Sequence, residues 1–126
     1  MSITQVNVST PANEIVFQDT AMGAVVDAIK ASSAVVYSVT IDNSANGAAS
    51  YVKLYNLASG SVVVGTTVPD EVILAPASQV VTAIFKTSAA GGKTFGTALS
   101  AACVTTGGTA GVTAPTSSVI VSVNYV

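Results

Sequence analysis

At 126 residues and a net charge of −2, the chain has length for one domain with a core that stands without covalent staples. Half of the residues are hydrophobic, mostly Val and Ala, and 8% are charged, against roughly 25% in an average soluble domain. The basic residues are four scattered lysines, Lys30, Lys53, Lys86 and Lys93, which argues against nucleic-acid binding or an anionic membrane surface; a lone cysteine and no histidine argue against ordinary zinc sites and the usual nucleophile–base pairs.

In chain order, residues 1–5 carry neither a basic segment nor an apolar stretch, so no secretory signal is expected. Residues 3–9 and 14–18 read as strands. The segment 22–31 is open to two readings. Met22, Val25, Val26 and Ile29 fall at helical spacing with Asp19 or Thr20 available as a cap, whereas Gly23 weakens a helix start and Ser32-Ser33 marks a turn; a strand over 25–30 is favoured.

Residues 35–42 alternate with period two: Val35, Tyr37, Val39 and Ile41 on one face, Val36, Ser38, Thr40 and Asp42 on the other, as in a half-buried strand. Further strands are expected over 50–56, 71–74, 79–85 and 99–105. The last, 119–126, places Val119, Val121, Val123 and Tyr125 on one face. The connections are rich in Gly, Ala, Ser and Thr, and Pro11, Pro69, Pro76 and Pro115 fall at segment borders where no ladder bond is lost. About eight short strands and no unbroken apolar run near the ~18 residues of a spanning helix predict a single all-β domain, an antiparallel β-sandwich of jelly-roll type, over residues 1–126.

Candidate chemistry is sparse. The acids are Glu14, Asp19, Asp27, Asp42, Asp70 and Glu71; a glycosidase needs two of them facing across a cleft, and with no Trp the usual sugar platform is not evident. Asp42-Asn43-Ser44 and Asp70-Glu71 offer hard oxygens for calcium but lack EF-hand spacing, and such residues at strand ends ordinarily shape turns. Gly107-Gly108-Thr109-Ala110-Gly111 lacks the Lys-Ser/Thr of a phosphate loop, and the sequon Asn7-Val8-Ser9 carries no meaning without a secretory signal. Cys103, in an Ala-Ala-Cys-Val run, is expected to be a small buried hydrophobe. No catalytic residue, cofactor or metal site is therefore expected. Tyr37 and Tyr125 are expected in the core, while Tyr51 and Tyr55 share a face with Lys53 and are expected to be exposed as a partner-contact trio.

Four stretches carry a family resemblance: Ile41-Asp42-Asn43-Ser44-Ala45-Asn46, Tyr51-Val52-Lys53-Leu54-Tyr55-Asn56, Gly65-Thr66-Thr67-Val68-Pro69-Asp70, and Gly107 to Gly111. Over residues 35–126 the chain resembles small β-sandwich virion proteins of tailed bacteriophages, and within that group the capsid decoration, or cement, proteins. It departs from that pattern at Ala98, where a Gly is expected before Leu99-Ser100. The resemblance implies a jelly-roll homotrimer, made in the host cytoplasm and seated on the capsid surface of the virion. Its partners would be the major capsid protein and its own copies, with no nucleic acid, membrane or cofactor and no enzymatic activity. The alternative is a tail-fibre or tail-tip module that binds host-surface glycan through Tyr51, Tyr55 and Asn56; a glycan hydrolase is the third reading.

Overall fold

The computed structural model describes residues 14–85 and 91–126. The strand expected over 3–9 and Lys86 lie outside the described residues. The rest is all-β: β1 (Ile15–Asp19), β2 (Asp27–Lys30), β3 (Ala34–Asp42), β4 (Ser50–Tyr55), β5 (Glu71–Ala75), β6 (Val80–Ile84), β7 (Lys93–Phe95), β8 (Leu99–Val104) and β9 (Ile120–Tyr125), with one 3-10 turn at Ser59–Ser61. Among the described residues nine strands stand: the seven of the eight expected that fall there, the strand favoured over 25–30, and one more. The added one, β7, is three residues long, too short for alternation to reveal. Segment 22–31 resolves as the four-residue strand β2, with Val25 exposed and Met22 buried.

The strands form two antiparallel sheets. One runs β1-β9-β3-β6, with β7 also paired to β3, and the other runs β2-β8-β4-β5. Their inner faces meet in a single core. The first sheet contributes Val36, Val39, Ile41, Val121, Val123 and Tyr125. The second contributes Ile29, Val52, Leu54, Leu99, Ala101 and Cys103. This is the layering of a β-sandwich. Each fully buried Val, Leu or Ile stabilises such a core by about 1.5–3 kcal/mol of transfer free energy. Small residues on β8, Ala101 and Cys103 opposite Leu54 and Val52, fill the space between larger neighbours.

One face assignment needs correction. Val36 pairs with Tyr125 and Ser38 with Asn124, so Tyr37 is an extra residue on β3, a β-bulge. An inserted residue inverts the alternation on one side of it. Ala34 and Val36 therefore point inward together with Val39 and Ile41, while Val35 and Tyr37 are only partly buried. Tyr37 is not in the core. Tyr125 is, as expected, and its hydroxyl lies 3.5 Å from the Ile29 carbonyl, at the outer limit for a hydrogen bond.

The outer faces of the two sheets differ. Across the first sheet, Gln18, Ser122, Thr40 and Thr82 lie in register from β1 to β6; Gln18 Nε2 donates to Ser122 Oγ at 3.1 Å, and the Thr40 and Thr82 hydroxyls are 3.1 Å apart. The neighbouring row is Val16, Asn124, Ser38 and Ile84. Over the second sheet, by contrast, two loops fold back. Val62, with Leu57, Val64 and Val26, packs on Tyr55 and Ala102 in a second small cluster, and the 105–113 loop lies over Tyr51 and Lys53.

Candidate functional site

The three residues expected to form an exposed contact surface do share a face, the outer one of β4, but they are not exposed. Lys53 and Tyr55 are fully buried and Tyr51 is half-buried. The reason is the loop cover. Lys53 Nζ donates to the carbonyls of Ala110 at 2.8 Å and Thr109 at 3.3 Å. A Cβ on Gly107 would sit 2.9 Å from the Tyr51 ring, so only glycine lets the backbone approach this closely. Burial lowers the Lys53 pKa and raises that of Tyr55, whose hydroxyl has no hydrogen-bond partner among the described residues. Tyr51 and Lys53 work as an internal fastener for the 105–113 loop, while Tyr55 packs beneath the Val62 segment. Alternation along a strand cannot disclose such cover, because it comes from a segment some 55 residues away in the chain.

Asp42, Asp70 and Glu71 are likewise spoken for. The Asp42 carboxylate accepts from the backbone and side chain of Ser44, which holds its pKa below the usual carboxylate range. Asp70 accepts from the Asn56 amide at 2.7 Å, and Lys93 bonds both the Asp70 carbonyl at 2.9 Å and the Glu71 carboxylate at 2.7 Å. These are turn-shaping contacts, and among the described residues no three Asp, Glu, Cys or His side chains gather into a metal-binding group. Asp19 and Asp27 differ. Their pairing partners, Val121 and Ala101, place both on the inward faces at the open side of the sandwich, where β1 and β2 are the edge strands. Burial first, then the neighbouring Asp19 carboxyl, push Asp27 up to about 7. Cys103 lies in the core, where burial pushes its thiol up to about 12; it is not a nucleophile at neutral pH.

A polar hub that the sequence reading passed over stands at one end of the sandwich. Asn43, fully buried just after β3, donates through Nδ2 to the carbonyls of Ala48, Ala75 and Pro76 at 3.0–3.1 Å. Its Oδ1 accepts from Asn46 Nδ2 at 3.0 Å and Ser50 Oγ at 2.8 Å. Asn46 then exchanges two bonds with the Ser117 backbone, at 3.0 and 2.8 Å. Three separate connections, 43–50, 75–79 and 115–118, are thereby held by two amides. Beside the hub lies a cleft of about 300 Å³ bounded by residues 45–50, Thr105 and 115–117. No ionisable side chain lines it. Its walls offer small apolar surfaces, hydroxyls and backbone groups, which suit contact with an uncharged segment and supply no acid or base. No helix among the described residues is long and apolar enough to cross a membrane.

Comparison with protein-family models, with curated proteins and with solved structures found no match to this chain.

Proposed function

We propose that the chain is a viral structural protein of the decoration, or cement, type, which binds the outside of a capsid shell and stabilises it by contact alone. The observation that carries this reading is the outer face of the first sheet. Gln18, Ser122, Asn124, Ser38, Thr40 and Thr82 present hydroxyls and amides between apolar margins at Val16, Val80 and Ile84, with Asp42 toward one end. Such a face is inexpensive to dehydrate compared with a charged one and offers many hydrogen bonds to a fitted neighbour.

Strand order supports the jelly-roll part of the reading. With β7 set aside, β1-β9-β3-β6 faces β2-β8-β4-β5, and from β1 to β6 the chain changes sheet at every step except the paired strands β4 and β5, a strand order compatible with a jelly roll. Jelly rolls occur widely in capsid and lectin domains, so the fold alone does not select the function. The resemblance noted above adds a homotrimer, with the major capsid protein as partner and the virion surface as location. A protein that binds only the assembled shell shifts the equilibrium away from disassembly by mass action. For a glycan-binding tail module, the aromatic residues available on β4 lie beneath loops, so that reading gains no support from the site.

The test is co-sedimentation of the purified chain with undecorated phage heads, followed by electron cryomicroscopy of the decorated particle. Saturable binding in many regularly placed copies, with heads surviving higher temperature, is expected. Heads that neither bind nor gain stability, or one copy at a tail tip, would overturn the proposal.

A further inference from the structure

Among the described residues β1, β6, β2 and β5 end the strand order of the two sheets, with the short β7 beside β6 along β3, and an open edge is a template for adding another strand. Three of the four carry features that discourage it. On β2 these are Asp27, Lys30 and a register shift between Ala28 and Lys30. β5 begins with Glu71, held by Lys93, and is followed by Pro76. β1 is bounded by Glu14 and Asp19. The fourth, β6, reads Val-Val-Thr-Ala-Ile, with no charge, proline or bulge.

The hydrogen-bond register shows which groups of β6 are unused. The Asn43 amide bonds the Gln79 carbonyl at 2.9 Å and the Phe85 amide bonds the Tyr37 carbonyl at 3.0 Å. In an antiparallel ladder, bonding and non-bonding pairs alternate. Val81 and Ala83 therefore turn their N–H and C=O groups toward β3, while Val80, Thr82 and Ile84 turn theirs away from it. The same residues project their side chains outward: Val80 is 58% and Ile84 66% exposed. The strand matches itself when reversed. An antiparallel copy centred on Thr82 would set Val80 against Ile84 and Thr82 against Thr82, apolar on apolar and hydroxyl on hydroxyl, with no like-charge conflict.

We propose that β6 is a self-association edge, on which a second copy of this chain adds its own β6 about a two-fold axis at Thr82, joining the two β1-β9-β3-β6 sheets into one. Each outward-facing pair then exchanges two backbone hydrogen bonds, as in a continuous sheet. The contact is isologous and closes at two copies. It goes beyond the shell-binding reading and does not depend on it; if trimers also form, this edge links copies belonging to different trimers.

The test uses the full chain. In the paired state the two Thr82 Cα atoms would be ~5.5 Å apart, within disulfide range. Thr82→Cys under mild oxidation is expected to give a covalent dimer, while Gln18→Cys on the β1 edge, treated alike, stays uncrosslinked. In sedimentation experiments, Thr82→Lys, which opposes two cations across the axis, is expected to weaken dimer formation by at least about tenfold. Thr82→Pro, which removes an amide directed away from β3 together with the exposed hydroxyl contact to Thr40, is expected to weaken dimerisation as strongly while the chain keeps the far-ultraviolet circular dichroism of the wild type. The proposal is overturned by a wild-type chain that stays monomeric and yields no Thr82→Cys crosslink. An oligomer whose mass and affinity survive both Thr82→Lys and Thr82→Pro overturns it equally. Failure of shell binding with an intact Thr82 dimer would count against the decoration reading alone.

Discussion

Replacing Asn43 with Ala gives the sharpest check on how the loop end of the sandwich is held. The side chain is fully buried and its amide faces three carbonyls. An amide nitrogen has two protons, so at least one of them is shared between carbonyls. Removing the group strands the Ser50 hydroxyl, 1% exposed, and takes a donor from the carbonyls of Ala48, Ala75 and Pro76; the Asn46 amide keeps its bond to Ser117. A buried polar group left unpaired costs about 1–3 kcal/mol and the bonds of the two amide protons about 0.5–1.5 kcal/mol each, which puts the loss at about 2–6 kcal/mol before any relaxation. Water entering beside the open cleft offsets part of this, leaving about 3 kcal/mol as the expected effect. Urea-induced unfolding of the wild type and Asn43→Ala, followed by far-ultraviolet circular dichroism, reads the difference directly. Asp42→Ala, at the exposed neighbouring turn, serves as the control and is expected to cost clearly less. An Asn43→Ala loss no larger than that of the control would refute the idea that this amide holds the three connections together.

Two further outcomes are expected. The Asp27 carboxyl holds its proton more tightly folded, at about 7, than unfolded, near 3.8. Its contribution to stability is therefore fully present below about 3.8 and is lost as pH rises through about 7. Asp27→Asn should flatten the melting temperature's dependence on pH between those limits, and unchanged slopes would contradict the assignment. Gly111 has φ +99°, and a Cβ there would lie 2.5 Å from the Thr106 Cβ. Gly111→Ala should cost about 1–3 kcal/mol and speed hydrogen exchange across the 105–113 loop, measured by mass spectrometry; unaltered exchange would show that the loop does not need this conformation.

How far the residues could be read in advance followed from what each signal depends on. Period-two alternation depends on the strand itself, and it located β3, β4, β8 and β9 and the inward set Val119, Val121, Val123 and Tyr125. It failed at Tyr37 because a bulge is a property of the pair: only the partner strand, with Tyr125 and Asn124 opposite Val36 and Ser38, shows that one residue is surplus. The Tyr51, Lys53 and Tyr55 face was assigned correctly, yet its exposure was not. The covering segments, around Val62 and Ala110, are loops whose course no local pattern encodes. Asn43 and Asn46 looked like ordinary turn residues. The available hint was their occurrence with Ser50 at the ends of two apolar strands, where buried amides commonly satisfy loop carbonyls.

The unequal dressing of the two sheets makes the molecule directional. One side is upholstered by its own loops, with a lysine tucked beneath them, and presents their curved backs to the surroundings. Among the described residues, the opposite side is an uncovered platform of paired strands. A neighbour seeking a broad, level seat meets one on a single flank, so copies arriving at a common surface would all settle the same way up.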